Sequence, residues 1–167
     1  MNHVHPLTGS NCLLHLTESS IINFKRESHV FSRVDLREVS VNVLIVDDSV
    51  SARSILRQMV RKMRHETIEA ANGKEALAQL ETHPDVGLIL LDWNMPEMDG
   101  MELLDAIREK RGSLRKPLII VVSTESEREK IMQAVQRGAD EYIMKPFTKE
   151  ILLEKLALLG IDYDNRL

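Results

Sequence analysis

The sequence predicts an α/β domain, a doubly wound sheet of five parallel strands with helices on both faces. Three observations predict it. Between residues 41 and 160, short β-branched or aliphatic runs alternate with stretches of helical period. The runs at 86–91 and 118–122 are almost wholly apolar, the pattern of strands buried on both faces in a parallel sheet. Each return to a parallel strand takes a right-handed crossover, which winds the helices onto the sheet.

The elements follow in order. Residues 41–46 form the first strand, which stops at Asp47-Asp48. Ser49 is a good N-cap for a helix whose apolar residues Ala52, Ile55, Leu56, Met59, Val60 and Met63 recur at helical spacing. Residues 66–70 make a weaker strand, and Asn72-Gly73 turns the chain into a helix over 74–80. The strand 86–91 ends at Asp92, and a loop with Pro96 and Gly100 leads into a helix over 101–110. Pro117 opens the strand 118–122, which ends at Ser123. A polar helix spans 126–137, with Gly138 as the residue that closes it. The strand 141–144 ends at Lys145-Pro146, and Thr148 caps a last helix running to about residue 159.

Composition narrows the function. Of 167 residues, 43% are hydrophobic and 29% charged, enough apolar matter for a core. A net charge of −4 argues against a general nucleic-acid-binding surface. The single cysteine, Cys12, excludes an intramolecular disulfide framework and a cysteine-rich zinc module. No apolar run approaches the length of a membrane span, and the first residues lack the basic start of a signal peptide. A soluble cytoplasmic protein is expected, with no membrane insertion. Residues 1–40 hold four of the six histidines and no sustained apolar period, so a poorly ordered extension is expected there. A partner-binding segment with an induced helix around 21–39 is the alternative. The domain is expected over 41–160, followed by a short tail over 161–167 and no output domain.

In an open parallel sheet, function gathers at the carboxyl ends of the strands. Here those exits carry Asp47-Asp48, Asp92, Ser123 and Lys145. A lone acid at a strand end is usually a turn residue. Four strand ends converging on three acids, a hydroxyl and an ammonium make a polar cluster. Three carboxylates in one cleft repel each other, and a hard divalent cation such as Mg²⁺ relieves that repulsion through oxygen ligands. Lys145 offsets further negative charge, and Ser123 offers a hydroxyl donor to an anion. Such a set suits a carboxylate that accepts a phosphoryl group.

These residues carry a resemblance. Asp47-Asp48, the run from Asp92 through Trp93, Asn94, Met95, Pro96, Glu97, Met98 and Asp99 to Gly100, then Ser123-Thr124-Glu125 and Lys145-Pro146-Phe147 resemble the receiver domain of two-component response regulators. The likeness covers about residues 41–160. Trp93, Asn94 and Glu125 bring it nearest to the single-domain chemotaxis regulators of that family. The resemblance implies the strand order 2-1-3-4-5. It implies Asp92 as phosphoacceptor, with Asp48, Asp92 and the Asn94 backbone carbonyl ligating Mg²⁺ and Asp47 acting through water. It makes Ser123 and Tyr142 the switch pair and Lys145 the phosphoryl-binding lysine, joined to Pro146 by a cis peptide. Asn94 and Glu125 would tune dephosphorylation. The implied partners are a histidine kinase as phosphodonor and a downstream protein such as a flagellar motor switch. Phosphorylation would remodel the face made by the last two helices and the strand between them.

Two other readings compete. A phosphorelay intermediate, passing phosphoryl to a histidine phosphotransfer domain, would share all the site chemistry. An aspartate-nucleophile phosphohydrolase needs a second acid two residues after the nucleophile, where this chain has Asn94. No turnover enzyme is therefore expected. A flavodoxin-like cofactor binder would need glycine and free backbone N–H groups where Asp47-Asp48-Ser49 stand. Among other features, Trp93 is expected to be partly exposed near the site, and Met59, Met63, Met101, Met132 and Met144 to fill the core. Arg64-His65 reads as a loop variation. Arg128, Lys130 and Arg137, with Glu127 and Glu129, read as a solvated helix face.

Overall fold

The computed structural model describes residues 40–109, 116–126 and 128–161. Expectations for residues 1–39 and 162–167 lie outside the described residues. The strands are β1 (Asn42–Val46), β2 (Glu66–Ala70), β3 (Val86–Leu91), β4 (Leu118–Ser123) and β5 (Glu141–Met144). The helices are α1 (Val50–Lys62), α2 (Gly73–Thr82), α3 (Gly100–Glu109), α4 (Arg128–Gln136) and α5 (Lys149–Leu158). The strands form one sheet in the order β2-β1-β3-β4-β5, and every pairing is parallel.

Alternation along each strand divides the core between two faces. Leu44, Val46, Ile89, Leu91, Ile119 and Val121 point to the side covered by α2, α3 and α4, where they meet Ala76, Leu103, Leu104, Ile107 and Ala134. Val43, Ile45, Leu88, Leu90, Ile120, Val122 and Ile143 point the other way, against Leu56, Val60 and Met63 on the α1 side and Leu152 and Leu156 of α5. The uninterrupted apolar strands of the sequence are thus two interleaved sets, one for each layer of helices. β2, at one edge, differs: Arg53 and Arg57 of α1 pair with Glu69 at 3.3 and 2.7 Å, so charged side chains line that strand.

Most helix ends behave as the sequence predicts. Ser49 Oγ accepts from the Ala52 N–H at 3.3 Å, and Asn72 Oδ1 accepts from the Glu75 N–H at 2.9 Å. Gly138 takes a φ of 99° after α4. Thr148 is extended at the N-cap of α5, but its side chain makes no capping hydrogen bond. The Lys145–Pro146 peptide is cis.

Four expectations are corrected. Trp93 is buried, at 6% exposure, in the core on the α2–α3–α4 side. The strand alternation carries on two residues beyond β3, so Trp93 follows Leu91 to the same face. Met132 and Met144 are about half exposed (50% and 53%) and do not fill the core, whereas Met63 is buried, and Met59 and Met101 are partly buried against the two faces of the core. Arg64-His65 has a structural role: Arg64 takes the left-handed conformation usual for glycine after a helix, with φ 63°. His65 is thereby turned inward, where its Nδ1 accepts from the Val41 N–H at 3.3 Å. Finally, the charges of α4 are not simply solvated, and Glu127 of the expected face lies outside the described residues. Lys130 pairs with Glu125 at 2.9 Å, and Arg137 pairs with Asp105.

Candidate functional site: an acidic pocket at the strand exits

The sheet itself fixes the backbone of the site. Asp47 N–H donates to the Ala70 carbonyl at 3.2 Å, and Asp92 N–H to the Val46 carbonyl at 2.8 Å. Lys145 N–H donates to the Ser123 carbonyl at 2.7 Å. These bonds continue the ladders one residue past each strand, so the three side chains are held by rigid elements. The order β2-β1-β3 reverses direction at β1, and Asp47, Asp48 and Asp92 lie at the crevice this opens.

Within the crevice, ligand atoms of Asp47, Asp48 and Asp92 all lie within 4.8 Å of one another. Lys145 Nζ donates to Asp47 Oδ2 at 2.6 Å and to Asp92 Oδ1 at 2.8 Å. Asp47 Oδ1 accepts from the Ser49 N–H at 2.8 Å, so both of its oxygens are engaged. Asp92 Oδ2 accepts from the Asn94 N–H at 3.2 Å. Asp48 is exposed, and among the described residues no hydrogen bond or ion pair reaches its carboxylate. This donor set suits a hard divalent cation: clustered carboxylate oxygens, one of them open to solvent, beside a lysine that neutralises only part of their charge.

The electrostatics follow from burial and these contacts. Burial pushes the Asp92 carboxyl above its ordinary value, the Asp47 charge adds to that, and Lys145 opposes both. Burial acts to depress the Lys145 ammonium, but its bonds to Asp47 and Asp92 outweigh it and hold the group above the usual lysine range. Burial also raises the Tyr142 phenol.

The remaining residues singled out from sequence meet at the β4 exit. Ser123 is fully buried, and its Oγ accepts from the Glu125 N–H at 3.2 Å. Tyr142 is half-buried and its hydroxyl donates to the Glu125 carbonyl at 2.7 Å. Asn94 Nδ2 donates to the Glu125 carboxylate at 3.1 Å, which bridges the two loops that flank Asp92. Hydrogen bonds from Lys130 and Asn94 hold the Glu125 carboxyl below its ordinary value.

Comparison with known proteins gives the family. The profile of the response regulator receiver domain matches residues 43–157. The chain belongs to the response regulator receiver domain family. A chemotaxis protein CheY homolog of Campylobacter jejuni is 38% identical over 117 residues, 70% of this chain and 89% of that one. The structure of Vibrio cholerae CheY4 superposes with a TM-score of 0.65 at 32% identity, covering 74% of this chain and all of that one. A chain of the CheX–CheY–BeF₃–Mg²⁺ complex of Borrelia burgdorferi superposes with a TM-score of 0.65 at 29% identity, covering 73% of this chain and 90% of that one. Receiver domains are signalling regulators rather than turnover enzymes. No helix of the described residues is long and apolar enough to cross a membrane.

Sequence reasoning missed two parts of this receiver domain's site and gave a third, within its motif, no role of its own. Arg53 of α1 donates to the Asp47 carbonyl at 2.6 Å while paired with Glu69, so it ties the acidic turn to the edge strand. Its only sequence signal was a position six residues after Asp47, which points nowhere without the fold. Lys130, five residues after Glu125, has no helical spacing to flag it. Gly100 is the third. A Cβ there would strike the Asp92 carbonyl oxygen and stand 3.0 Å from Trp93 Cα. Gly100→Ala is therefore expected to destabilise the domain by about 2 kcal/mol, because backbone on both sides leaves nothing soft to move. Urea unfolding checks this, and a change below roughly 0.5 kcal/mol contradicts it.

Proposed function

We propose that Asp92 accepts a phosphoryl group from a histidine kinase, and that phosphorylation switches the α4–β5–α5 face to bind a downstream protein in chemotaxis-type signalling. The observation that carries this reading is Lys145, held between Asp47 and Asp92 where the strand exits converge. In the transfer, the N–P bond of a phosphohistidine breaks as an Asp92 Oδ–P bond forms, and the imidazole leaves with the electron pair. Lys145 leaves its Asp92 oxygen to hold a phosphoryl oxygen, and Ser123 turns its hydroxyl to another. Asp48, Asp92 and the Asn94 carbonyl would hold Mg²⁺, with Asp47 acting through water. When bound, the cation supplies positive charge against the phosphoryl oxygens.

The switch reading rests on Ser123 and Tyr142 sharing Glu125 as partner. A Ser123 hydroxyl drawn toward phosphate gives up the Glu125 N–H, which loosens the carbonyl that holds Tyr142. Tyr142 then moves between two packings, and phosphorylation shifts the population between them. The output face has apolar content. Met132 and Val135 on α4, Met144 on β5 and Ile151 on α5 are all exposed. Single exposed apolar residues are ordinary, but three adjoining elements that each present them suit a protein partner such as a flagellar motor switch. The action is assigned to the cytoplasm, where histidine kinases release their phosphoryl groups.

Intact-mass spectrometry tests the reading. Incubation with acetyl phosphate and Mg²⁺ is expected to add one phosphoryl group. The adduct is expected to decay in seconds to minutes with Mg²⁺ and more slowly after EDTA. A half-life of many hours with Mg²⁺ contradicts a transient signal. So does absence of any adduct when beryllofluoride also leaves the fluorescence of Trp93 unchanged.

A further inference from the structure

Glu125 is joined to four residues from separate parts of the fold. Its N–H and carbonyl engage Ser123 and Tyr142, while its carboxylate takes Asn94 Nδ2 at 3.1 Å and Lys130 Nζ at 2.9 Å. Asn94 in turn donates its main-chain N–H to Asp92 at 3.2 Å. The Glu125–Asn94 bridge therefore starts from the residue whose main-chain N–H holds the Asp92 carboxylate, and its far end is held by a lysine on α4.

We propose that Lys130 is a positioning residue: its ammonium keeps the Glu125–Asn94 bridge closed and thereby sets how long the phosphoryl group on Asp92 survives. This rests on Asp92 being the phosphoacceptor. The physical argument compares two ways of holding Glu125. With Lys130, the carboxylate is fixed by an ion pair and a hydrogen bond at once. Without it, a single hydrogen bond to a neutral amide must hold a charged group at 21% exposure against water. The carboxylate then swings outward, and the Asn94 amide opens to solvent. In hydrolysis, a water oxygen bonds to phosphorus as the Asp92 Oδ–P bond breaks. The carboxylate is regenerated, inorganic phosphate leaves, and the water proton passes to phosphate or solvent. An open bridge gives that water its approach. Lys130 belongs to the output helix, so the signal's lifetime is tied to the face that is read.

The pair is partly exposed, so its contribution to stability is small and decay kinetics are the informative readout. The full chain is phosphorylated with acetyl phosphate and Mg²⁺, the donor is removed by desalting, and the adduct is followed by intact mass. Lys130→Met is expected to decay about threefold faster than wild type, as loss of an ion pair of this kind allows. Lys130→Arg is expected to restore the wild-type rate. Glu125→Gln is expected to decay as fast as Lys130→Met, and the double variant no faster than either. Raising salt to about 1 M, where the screening length is about 3 Å, is expected to speed wild type and leave Lys130→Met unchanged. Lys62→Met, which removes the same charge from the last turn of α1, is the control and keeps the wild-type rate. The proposal is overturned if Lys130→Met decays at the wild-type rate, or if its effect persists in the Glu125→Gln background. A wild type that takes no phosphoryl group at all overturns the Asp92 reading itself, an outcome recognisable before any variant is compared.

Discussion

Asp92→Asn is expected to abolish the phosphoryl adduct completely and, without divalent cation, to make the folded domain more stable than wild type. The two effects have one cause. Asp92 is almost buried, lies within 4.8 Å of two other carboxylates at their ligand atoms, and has its ionised form disfavoured by burial and by Asp47. Asparagine keeps the shape and an oxygen for Lys145 while removing the charge. It also removes the nucleophilic carboxylate oxygen, so no acyl phosphate forms. The sign with pH is fixed. The folded protein holds the Asp92 proton more tightly than the unfolded chain does, so ionised Asp92 costs stability at neutral pH. That cost is fully present above the folded-state value. It fades as pH falls and is gone below the ordinary aspartate range near pH 4. The gain in thermal midpoint for Asp92→Asn, a few degrees, is therefore expected near neutrality and is expected to vanish in acid. Mg²⁺ is expected to reverse the order, since a cation that binds the wild-type carboxylates stabilises wild type and gives the variant much less. A variant less stable than wild type in EDTA at neutral pH would show that the Asp92–Lys145 attraction outweighs burial, contrary to this account.

The sequence shows some of this plainly and conceals the rest, for physical reasons. Strands β3 and β4 are legible because burial on both faces demands unbroken apolar runs, and Asp92 and Ser123 are legible because a polar residue ends each run. Lys145 is legible by the same logic from Glu141–Met144. The burial of Trp93 is not, because the alternation that places it continues beyond the last paired residue of β3. The exposure of Met132 and Met144 is not, because methionine suits core and surface alike. The bridge from Asn94 through Glu125 to Lys130 is half legible. The first two residues belong to motifs, whereas Lys130, five residues after Glu125, meets its carboxylate only in the folded chain. The clamp of Arg53 on Asp47 is a pure product of packing, since α1 must first lie against β1 and β2 before that guanidinium can reach the carbonyl.

Lys145→Met is expected to separate the structural from the chemical use of one ammonium. Nζ stands 2.6 Å from Asp47 and 2.8 Å from Asp92, and Asp47 is only 2% exposed. Removing the lysine leaves two neighbouring acids with no cation between them. Breaking a buried pair costs about 3–5 kcal/mol; here the Lys145 side chain is 21% exposed and Asp48 opens to water, so about 2 kcal/mol is expected. Lys145 titrates above its ordinary value in the fold, so its contribution is intact through neutral pH and is lost only as pH rises through that elevated value. Wild type is therefore expected to converge on the variant in strong alkali, and the gap is expected to narrow in acid as the carboxylates protonate. Mg²⁺ is expected to recover more stability in Lys145→Met than in wild type, because a cation among the carboxylates replaces the missing charge. Activity is expected not to recover with it. A methionine donates nothing to a phosphoryl oxygen, and loss of one placed donor costs about 10²-fold or more in rate. A variant refolded by Mg²⁺ but slow to take phosphoryl from acetyl phosphate thus assigns Lys145 to the transferring group. A variant restored in both respects assigns it to the apo fold alone. Calorimetry and adduct formation measured on the same Mg²⁺-loaded sample distinguish the two.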